Sequence, residues 1–324
     1  MLLAGDLGGT KTLLGLFRKT ADPRPEHVLT LEFTTRDYPT ATALLAEFFE
    51  KSGIPARDIE AACLGFPGPV IEQRVRLTNV PWFVDARELT DALGLRNVWL
   101  LNDLAAMAHV VTVLRDDELL VLQQGRRDPN GNGALVAAGT GLGQAMLINV
   151  DGVWRVSPSE GGHADFAART PREIELVQEL IRQYGRAYVE LIACGPGLVR
   201  LCRFTSGGRS FVFQETDDET ELPALISRAA LERKCPYCVE ALEMWVSALG
   251  AATGNFAMHC MASGGVFVGG GIPPKILPAF RTPTFITAFN AKQPMDDLMR
   301  DMPVSLILNS RSGLLGAAVY ANRM

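Results

Sequence analysis

Two glycine-rich segments of the chain combine backbone amides with side-chain oxygens. Residues 5–10 (Gly-Asp-Leu-Gly-Gly-Thr) lie between apolar runs at 2–5 and 12–17, and residues 139–143 lie in the same way within 134–148. Each pattern predicts a β-hairpin with a glycine-rich tip, where the chain can approach a phosphate closely and donate amide hydrogen bonds. One such segment alone is equally typical of a plain tight hairpin. Two of them predict a pair of turns that hold a triphosphate.

A polar pair, Asn102-Asp103, follows an apolar run at residues 98–101. The run predicts a strand, and residues 104–113 predict a helix that Asp103 caps. A carboxylate in this position can accept the proton of a hydroxyl group as that group attacks phosphorus. The Asn102 amide offers a donor and an acceptor, which suits an adjacent sugar hydroxyl. A helix cap without catalytic function is the alternative interpretation.

A third polar segment, Glu160-Gly161-Gly162-His163, places a carboxylate and an imidazole on one loop. The two glycines allow the loop to pack closely against a ligand, and recognition of a polyol needs several donors and acceptors. This segment therefore indicates contact with a sugar, although a lone histidine is more often structural.

The order of the apolar patterns predicts an α/β fold that positions these segments. Polar segments after strands lie where α/β proteins commonly bind ligands. Residues 116–133 are polar and rich in glycine. Strands are predicted at residues 2–5, 12–17, 61–66, 98–101, 134–148 (two strands), 265–271 and 304–308, and helices at 42–51, 104–113, 171–185, 222–235, 239–261 and 313–323.

The size and charge of the chain restrict its architecture and its partners. A chain of 324 residues exceeds what one core usually serves, so two lobes are expected. The formal net charge of −5 gives no reason to expect binding to nucleic acid or to an anionic membrane. No apolar run reaches the roughly 18 residues of a membrane span, and no signal peptide is evident at the start. We expect a cytoplasmic protein.

Six cysteines are spread along the chain without the spacing of a disulfide framework. Cys235-Pro236-Tyr237-Cys238 invites a metal or redox interpretation. Zinc needs further ligands, and no second close pair of Cys or His lies nearby in the sequence. We therefore favour a pair of helix-cap or core thiols.

Taken together, these segments resemble the bacterial glucokinase family over nearly the whole chain. The resemblance implies the two-lobed actin-like ATPase (ribonuclease H-like) fold, with duplicated lobes and a central cleft. A small lobe is expected at residues 1–112, completed by a helix at 311–324, and a large lobe at 113–310. The matching segments are residues 5–10, 77–79, 101–106, 139–143, 160–167, 195–198, 264–272 and 313–316.

The resemblance also implies a function and a set of site residues. The expected reaction is the phosphorylation of glucose by MgATP, with Asp103 as the catalytic base and Asp6 next to Mg²⁺, through water. Family members are commonly dimers, which implies a homodimer. The residues expected to bind the sugar are Asn102, Glu160, His163 and Glu190. Those expected to bind ATP are Gly5, Asp6, Leu7, Gly8, Gly9, Thr10, Gly139, Thr140, Gly141, Gly270 and Gly271.

Three alternatives are compatible with parts of this pattern. The first is a kinase for mannose, fructose or an N-acetylhexosamine, since residues 8–12 read Gly-Gly-Thr-Lys-Thr, as in the related group of repressors, ORFs and kinases. That group's cysteine-rich zinc motif is missing here. The second is a sugar-responsive regulator on the same fold, but no DNA-binding segment precedes the first predicted strand. The third is an actin-like ATPase that acts on no sugar, against which the segment at residues 160–163 argues.

Overall fold

The computed structural model describes residues 1–77, 80–209 and 218–324. Thr78 and Asn79, which belong to one of the segments that resemble the family, lie outside the described residues. The strands are β1 (Leu2–Leu7), β2 (Lys11–Arg18), β3 (Glu26–Thr34), β4 (Ala61–Phe66), β5 (Arg74–Arg76), β6 (Phe83–Asp85), β7 (Val98–Asn102), β8 (Leu119–Gln123), β9 (Gly133–Ala138), β10 (Leu142–Val150), β11 (Val153–Ser159), β12 (Gly265–Gly269) and β13 (Val304–Ile307). The helices are α1 (Ala41–Ser52), α2 (Ala86–Leu93), α3 (Asp103–Ala108), α4 (Pro171–Tyr184), α5 (Gly195–Thr205), α6 (Leu222–Leu231), α7 (Pro236–Cys260), α8 (Leu277–Phe280), α9 (Thr284–Asn290), α10 (Asp296–Asp301) and α11 (Ser312–Asn322).

The chain forms two compact units. Unit 1 consists of Met1–Asp116 and Asn309–Met324, and unit 2 of Asp117–Leu308. Unit 1 contains a five-stranded sheet with the order β3-β2-β1-β4-β7. β1 is antiparallel to β2 and parallel to β4. The helix α11, from the end of the chain, packs against β1, β4 and α3.

Unit 2 repeats this topology around its own sheet. The order β11-β10-β9-β12-β13 corresponds strand for strand to that of unit 1, and β8 extends the sheet beyond β13. The core of unit 2 is built around α7, an apolar helix that packs against α5, α6 and α9. Trp245 of α7 is fully buried, and its indole N–H donates to the Cys194 carbonyl oxygen over 3.0 Å.

The structure confirms both glycine-tipped hairpins and most of the predicted helices. It corrects the cap of α3: Asn102 is the N-cap residue, and Asp103 is the first residue of the helix. The regular helix ends at Ala108 and continues as a 3₁₀ turn at His109–Val113. The helix predicted at 222–235 ends earlier, at Leu231. Two residues later, Arg233 adopts a left-handed φ of 54°. The sequence patterns missed five strands and five helices of the described residues: β3, β5, β6, β8, β11, α2, α5, α8, α9 and α10.

The cysteine pair at 235 and 238 begins α7, which confirms the interpretation as cap and core thiols. The Cys235 thiol caps the helix by accepting from the Cys238 N–H over 3.4 Å. Cys238 is buried, and its sulfur lies 3.6 Å from that of Cys202 in α5. Within the described ranges, no helix is long and apolar enough to cross a membrane.

One histidine of unit 1 lies in a site that disfavours its charged form. His109 packs against the Tyr320 ring, with 4.9 Å between the ring centroids, and its Nδ1 lies 3.4 Å from a guanidinium nitrogen of Arg323. Burial, together with the Arg323 charge, lowers the pKa of His109 from 6.5 to about 4. The imidazole is therefore neutral in the folded protein at pH 7.

This pKa predicts a loss of stability in mild acid. The unfolded chain binds a proton at His109 below pH 6.5, whereas the folded chain does so only near pH 4. The contribution of the neutral imidazole to the free energy of unfolding is therefore complete above pH 6.5 and is lost as the pH falls towards 4. We expect His109→Gln to reduce the slope of unfolding free energy against pH in this window, measured by urea denaturation between pH 7.5 and 4.5. The control is His27→Gln, at an exposed histidine of the same unit. An unchanged slope in His109→Gln would contradict the assignment.

Candidate active site

The tip of the β1–β2 hairpin is held by the segment that follows β3. The Gly8 N–H donates to the Lys11 carbonyl oxygen over 3.0 Å, which closes the turn. The Thr35 hydroxyl donates to the Gly8 carbonyl oxygen over 2.8 Å, and the Thr35 N–H donates to the Thr10 carbonyl oxygen over 2.9 Å. The turn is therefore fixed by hydrogen bonds on its carbonyl side.

Asp6 lies near the end of β1, and its carboxylate faces the first turn of α11. A Cβ atom built on Gly313 would lie only 2.6 Å from Asp6 Oδ2, so the absence of a side chain at residue 313 makes room for the carboxylate. Burial raises the pKa of the Asp6 carboxyl group, and the Lys11 charge opposes this shift. The positive end of the α11 dipole favours the ionised form in this position. A bound cation would favour it further.

The polar pair after β7 lies at the start of α3. Asn102 Oδ1 accepts from the Leu104 and Ala105 N–H groups, both over 3.1 Å, and Asn102 Nδ2 donates to the Gly68 carbonyl oxygen over 3.2 Å. Much of the Asn102 amide is thus used to cap the helix and to hold the loop after β4. Asp103 is half-buried, and its Oδ1 accepts from the Leu104 N–H over 2.8 Å. Both side chains are fixed relative to the helix axis.

In unit 2, the loop with Glu160 and His163 lies directly on β10. A Cβ atom on Gly162 would lie 2.1 Å from the Leu142 carbonyl oxygen, so the loop can occupy this position only with glycine there. His163 Nε2 lies 3.8 Å from Glu160 Oε2, and His163 Nδ1 lies 4.0 Å from Glu190 Oε1. The structure therefore brings these three predicted sugar-binding side chains together around one imidazole.

Two residues that the sequence did not single out support His163. The Arg186 guanidinium donates to the His163 carbonyl oxygen over 3.0 Å and to Asp165 Oδ1 over 2.5 Å. The Tyr188 ring meets the His163 ring edge to face, with 5.6 Å between the centroids, and the Arg186 guanidinium lies over the same Tyr188 ring. Both residues shortly precede Glu190, but their contacts with His163 span more than 20 positions and leave no local signal in the sequence.

Glu190 also contacts the glycine-rich tip of the β9–β10 hairpin. Its Oε2 accepts from the Leu142 N–H over 2.7 Å, and a Cβ atom on Gly141 would lie 2.6 Å from the same oxygen. The Glu190 side chain is 27% exposed, compared with 69% for Glu160 and 54% for His163. Glu190 is therefore the most enclosed of the three and joins the predicted sugar residues to a predicted phosphate turn.

The third glycine-rich turn, at residues 269–271, lies beside the end of β9. Gly270 has a φ of 96°, and a Cβ atom there would lie 2.3 Å from the Ala138 carbonyl oxygen. The Ile272 N–H donates to that same oxygen over 3.2 Å. The Gly195 N–H at the start of α5 donates to the Gly139 carbonyl oxygen over 2.9 Å. The turns at 139–141 and 269–271 are thus adjacent in unit 2.

These observations divide the predicted site residues into two groups. Unit 1 holds Asn102, Asp103 and the tip of the β1–β2 hairpin with Asp6, and unit 2 holds the sugar-binding candidates and the other two glycine-rich turns. Two sheets of the same strand order, each with a glycine-rich hairpin, define the duplicated α/β fold of actin-like ATPases and sugar kinases. The predicted fold class is confirmed.

The chain belongs to the glucokinase family, whose model matches residues 3–324. It is 34% identical over 341 residues to the glucokinase of Nostoc sp., with 100% of this chain and 99% of that protein covered. It is 36% identical over 344 residues to the glucokinase of Synechocystis sp., with 98% and 97% covered. The predicted resemblance to this family is confirmed.

Solved structures agree with this assignment. A glucokinase from an Antarctic psychrotroph matches with a TM-score of 0.85 and 27% identity, over 100% of this chain and 99% of that chain. A ROK family glucokinase from Streptomyces griseus, in complex with glucose and AMPPNP, matches with a TM-score of 0.67 and 20% identity, over 100% and 99% of the two chains. The second match shows the fold alone.

Proposed function

We propose that this protein catalyses the ATP-dependent phosphorylation of glucose to glucose 6-phosphate. Full-length similarity to glucokinases at 34–36% identity supports the reaction. The observation that carries it in the structure is the grouping of Glu160, His163 and Glu190, of which Glu190 bonds directly to the tip of a glycine-rich hairpin. Such a contact supports recognition of a polyol next to recognition of a phosphate.

Each group has a role in the proposed reaction. Asp103 accepts the proton of the 6-hydroxyl group while that oxygen forms its bond to the γ-phosphorus, and the bond to ADP breaks on the opposite side. Glu160, His163 and Glu190 hold the remaining sugar hydroxyls. Asn102 is assigned to an adjacent sugar hydroxyl through its amide NH₂ group, because its oxygen already accepts two backbone N–H groups.

We assign ATP to the glycine-rich turns and Mg²⁺ to the neighbourhood of Asp6. The phosphates contact residues 5–10 and 139–141, and the adenosine packs against Gly270 and Gly271. Asp6 fits a metal held through water, because Mg²⁺ keeps much of its hydration shell and often uses only one or two carboxylates. The ion, when bound, neutralises charge on the phosphate oxygens.

Three further assignments accompany the proposal. Units 1 and 2 act as the small and large lobes, close to the boundaries expected at residues 112 and 310. The protein works as a homodimer, in agreement with the family resemblance, and light scattering on the purified protein measures its mass directly. It acts in the cytoplasm, where a reducing environment suits its six free thiols.

A coupled assay of the purified protein with MgATP and a panel of hexoses tests the function. We expect glucose to give the highest kcat/KM among glucose, mannose, fructose and N-acetylglucosamine. A preference for one of the other sugars would replace glucose as the substrate and leave the kinase class intact. No turnover with any hexose would overturn the proposal.

Replacing the proposed base tests the mechanism. We expect Asp103→Asn to lower kcat by roughly 10²–10⁴-fold, the usual contribution of a positioned base, with little change in the melting temperature. The matched control is Asp91→Asn, at an exposed aspartate of α2 in the same unit. Wild-type turnover in Asp103→Asn would remove this residue from the role of base.

Arg186 is a positioning residue for His163 in this proposal. Arg186→Met removes the hydrogen bond to the His163 carbonyl oxygen, and we expect KM for glucose to rise about tenfold while kcat changes less, because the imidazole is displaced from the sugar and not from the phosphate. Arg186→Lys should restore part of the affinity. The control is Arg182→Met, at an exposed arginine of α4. A change in kcat at constant KM would contradict the role.

A further inference from the structure

Three thiols lie together in unit 2, where α5 meets the first turn of α7. Cys235 caps α7, and its sulfur accepts from the Cys238 N–H over 3.4 Å. The Cys238 sulfur lies 3.6 Å from that of Cys202, so these two buried sulfur atoms are in van der Waals contact. Cys238 is therefore the central residue of the three. The proposed kinase reaction uses none of them.

Two hydrogen bonds hold α5 and α7 together next to these thiols. The Thr205 hydroxyl, at the end of α5, donates to the Tyr237 carbonyl oxygen over 2.8 Å, and the Arg209 guanidinium donates to the Tyr237 hydroxyl over 2.9 Å. Because Tyr237 immediately precedes Cys238, these bonds fix the backbone that carries the central thiol. A disulfide of about 2.0 Å requires the sulfur atoms of Cys202 and Cys238 to approach by about 1.6 Å, which rotation of the two side chains can supply.

The three thiols differ in their access to solvent. All six cysteines of the chain lie in the described ranges, and among them Cys235 alone is not fully buried. Burial raises the pKa of the Cys235 thiol, so only a small fraction of it is thiolate at neutral pH. Exchange with a small disulfide depends on this fraction and is slow, but it can begin at Cys235. A reagent from solution therefore meets the cluster at Cys235 first.

We propose that Cys235, Cys238 and Cys202 form a thiol relay that ends in a reversible disulfide between Cys202 and Cys238. The co-reactant is a small-molecule disulfide. The Cys235 thiolate attacks one sulfur of this molecule, forms a mixed disulfide and releases a first thiolate, which takes up the proton that Cys235 lost. Cys238 then attacks the Cys235 sulfur and releases the second thiolate with its proton. Cys202 finally attacks the Cys238 sulfur, and Cys235 leaves as a thiol.

The electrons balance in this sequence of steps. Two protein thiols are oxidised to one disulfide, and the small-molecule disulfide is reduced to two thiols. A dithiol reductant reverses the reaction by the same exchange chemistry. A reversible disulfide of this kind agrees with the rule that disulfides in a reducing compartment are usually transient.

The position of the link in the fold gives it a structural consequence. Cys202 and Cys238 are 36 positions apart, and a disulfide between them closes this stretch of chain covalently. At the start of α5, the Gly195 N–H donates to the Gly139 carbonyl oxygen in the glycine-rich tip after β9. In the oxidised protein, the helix that contacts this tip is therefore joined covalently to the central helix of unit 2.

Thiol titration and mass spectrometry of the purified, reduced protein test the proposal without any measurement of turnover. We expect six titratable thiols in denaturant before treatment with glutathione disulfide. After treatment we expect two fewer, with the loss of two hydrogen atoms from the mass. Proteolysis should then give one linked pair of peptides, with Cys202 in one and Cys238 in the other, and dithiothreitol should separate them.

Three variants separate the steps of the relay. Cys238→Ala should stop at the mixed disulfide, with glutathione attached to Cys235. Cys235→Ser keeps an oxygen for the cap of α7 but loses the accessible thiol, and we expect the link between Cys202 and Cys238 to form roughly tenfold more slowly. The control is Cys260→Ala, at a buried cysteine at the other end of α7, which should form the link like the wild type.

Several results would overturn the proposal. They are six remaining thiols in the treated wild type, glutathione that stays attached to its Cys235, or linked peptides that do not contain both Cys202 and Cys238. Formation of the link at the wild-type rate in Cys235→Ser would also contradict the relay. The first three results come from the wild type alone, so they do not depend on the folding of a variant. None of them involves turnover, and the kinase proposal therefore stands or fails separately.

Discussion

The hydrogen bond from the Leu142 N–H to the Glu190 carboxylate connects the predicted sugar-binding residues of unit 2 to its glycine-rich hairpin tip. Leu142 begins β10 directly after the glycine-rich tip, and Glu190 lies in a turn between α4 and α5, so the bond fixes the tip relative to a distant segment. A carboxylate that accepts from a backbone N–H forms a charge-assisted bond, which is stronger than a neutral one. The second oxygen of Glu190 faces His163, and a movement of either segment therefore alters both the sugar-binding candidates and the glycine-rich tip.

The duplicated topology does not make the two hairpins equivalent. Counted from the last paired residue before each tip, Leu7 in unit 1 and Ala138 in unit 2, the position of Asp6 corresponds to that of Ala137. Unit 2 therefore has no carboxylate at this place. The tips differ in length as well, because residues 8–11 connect Leu7 to Thr12 and residues 139–141 connect Ala138 to Leu142. The duplicated sheet therefore supplies two glycine-rich tips, and of these two only the tip of unit 1 has a carboxylate at the position of Asp6.

The sequence predicts the interior strands of both sheets and the edge strand β7, but it misses the other three edge strands of these two sheets. β3, β8 and β11 are all edge strands. β3 carries exposed residues such as Glu26 and Glu32, although Leu29, Leu31 and Phe33 alternate with polar residues in the period-two pattern of a half-buried strand. The helix α5 was not predicted because it begins with Gly195-Pro196-Gly197, a pattern that is typical of a turn. Proline is nevertheless favourable in the first turn of a helix. The candidate sugar residues were predictable because they lie in short motifs, but the supporting Arg186 depends on long-range packing. Asn102 and Asp103 are both good capping residues, and only the geometry decides between them.

The helix α11 supports the part of unit 1 that holds Asp6 and the proposed base Asp103. α11 packs against α3 so closely that a Cβ atom on Gly316 would lie 2.1 Å from the Ala106 carbonyl oxygen, while Gly313 of the same helix borders the Asp6 carboxylate. All of unit 2 lies between α3 and α11 in the sequence, so these contacts close a very long loop. The entropic cost of closing a loop grows only slowly with its length. The presence of unit 2 between α3 and α11 is therefore compatible with a stable unit 1. As a consequence, Asp6 and Asp103 are supported by α11 only when this helix has packed against β1 and α3.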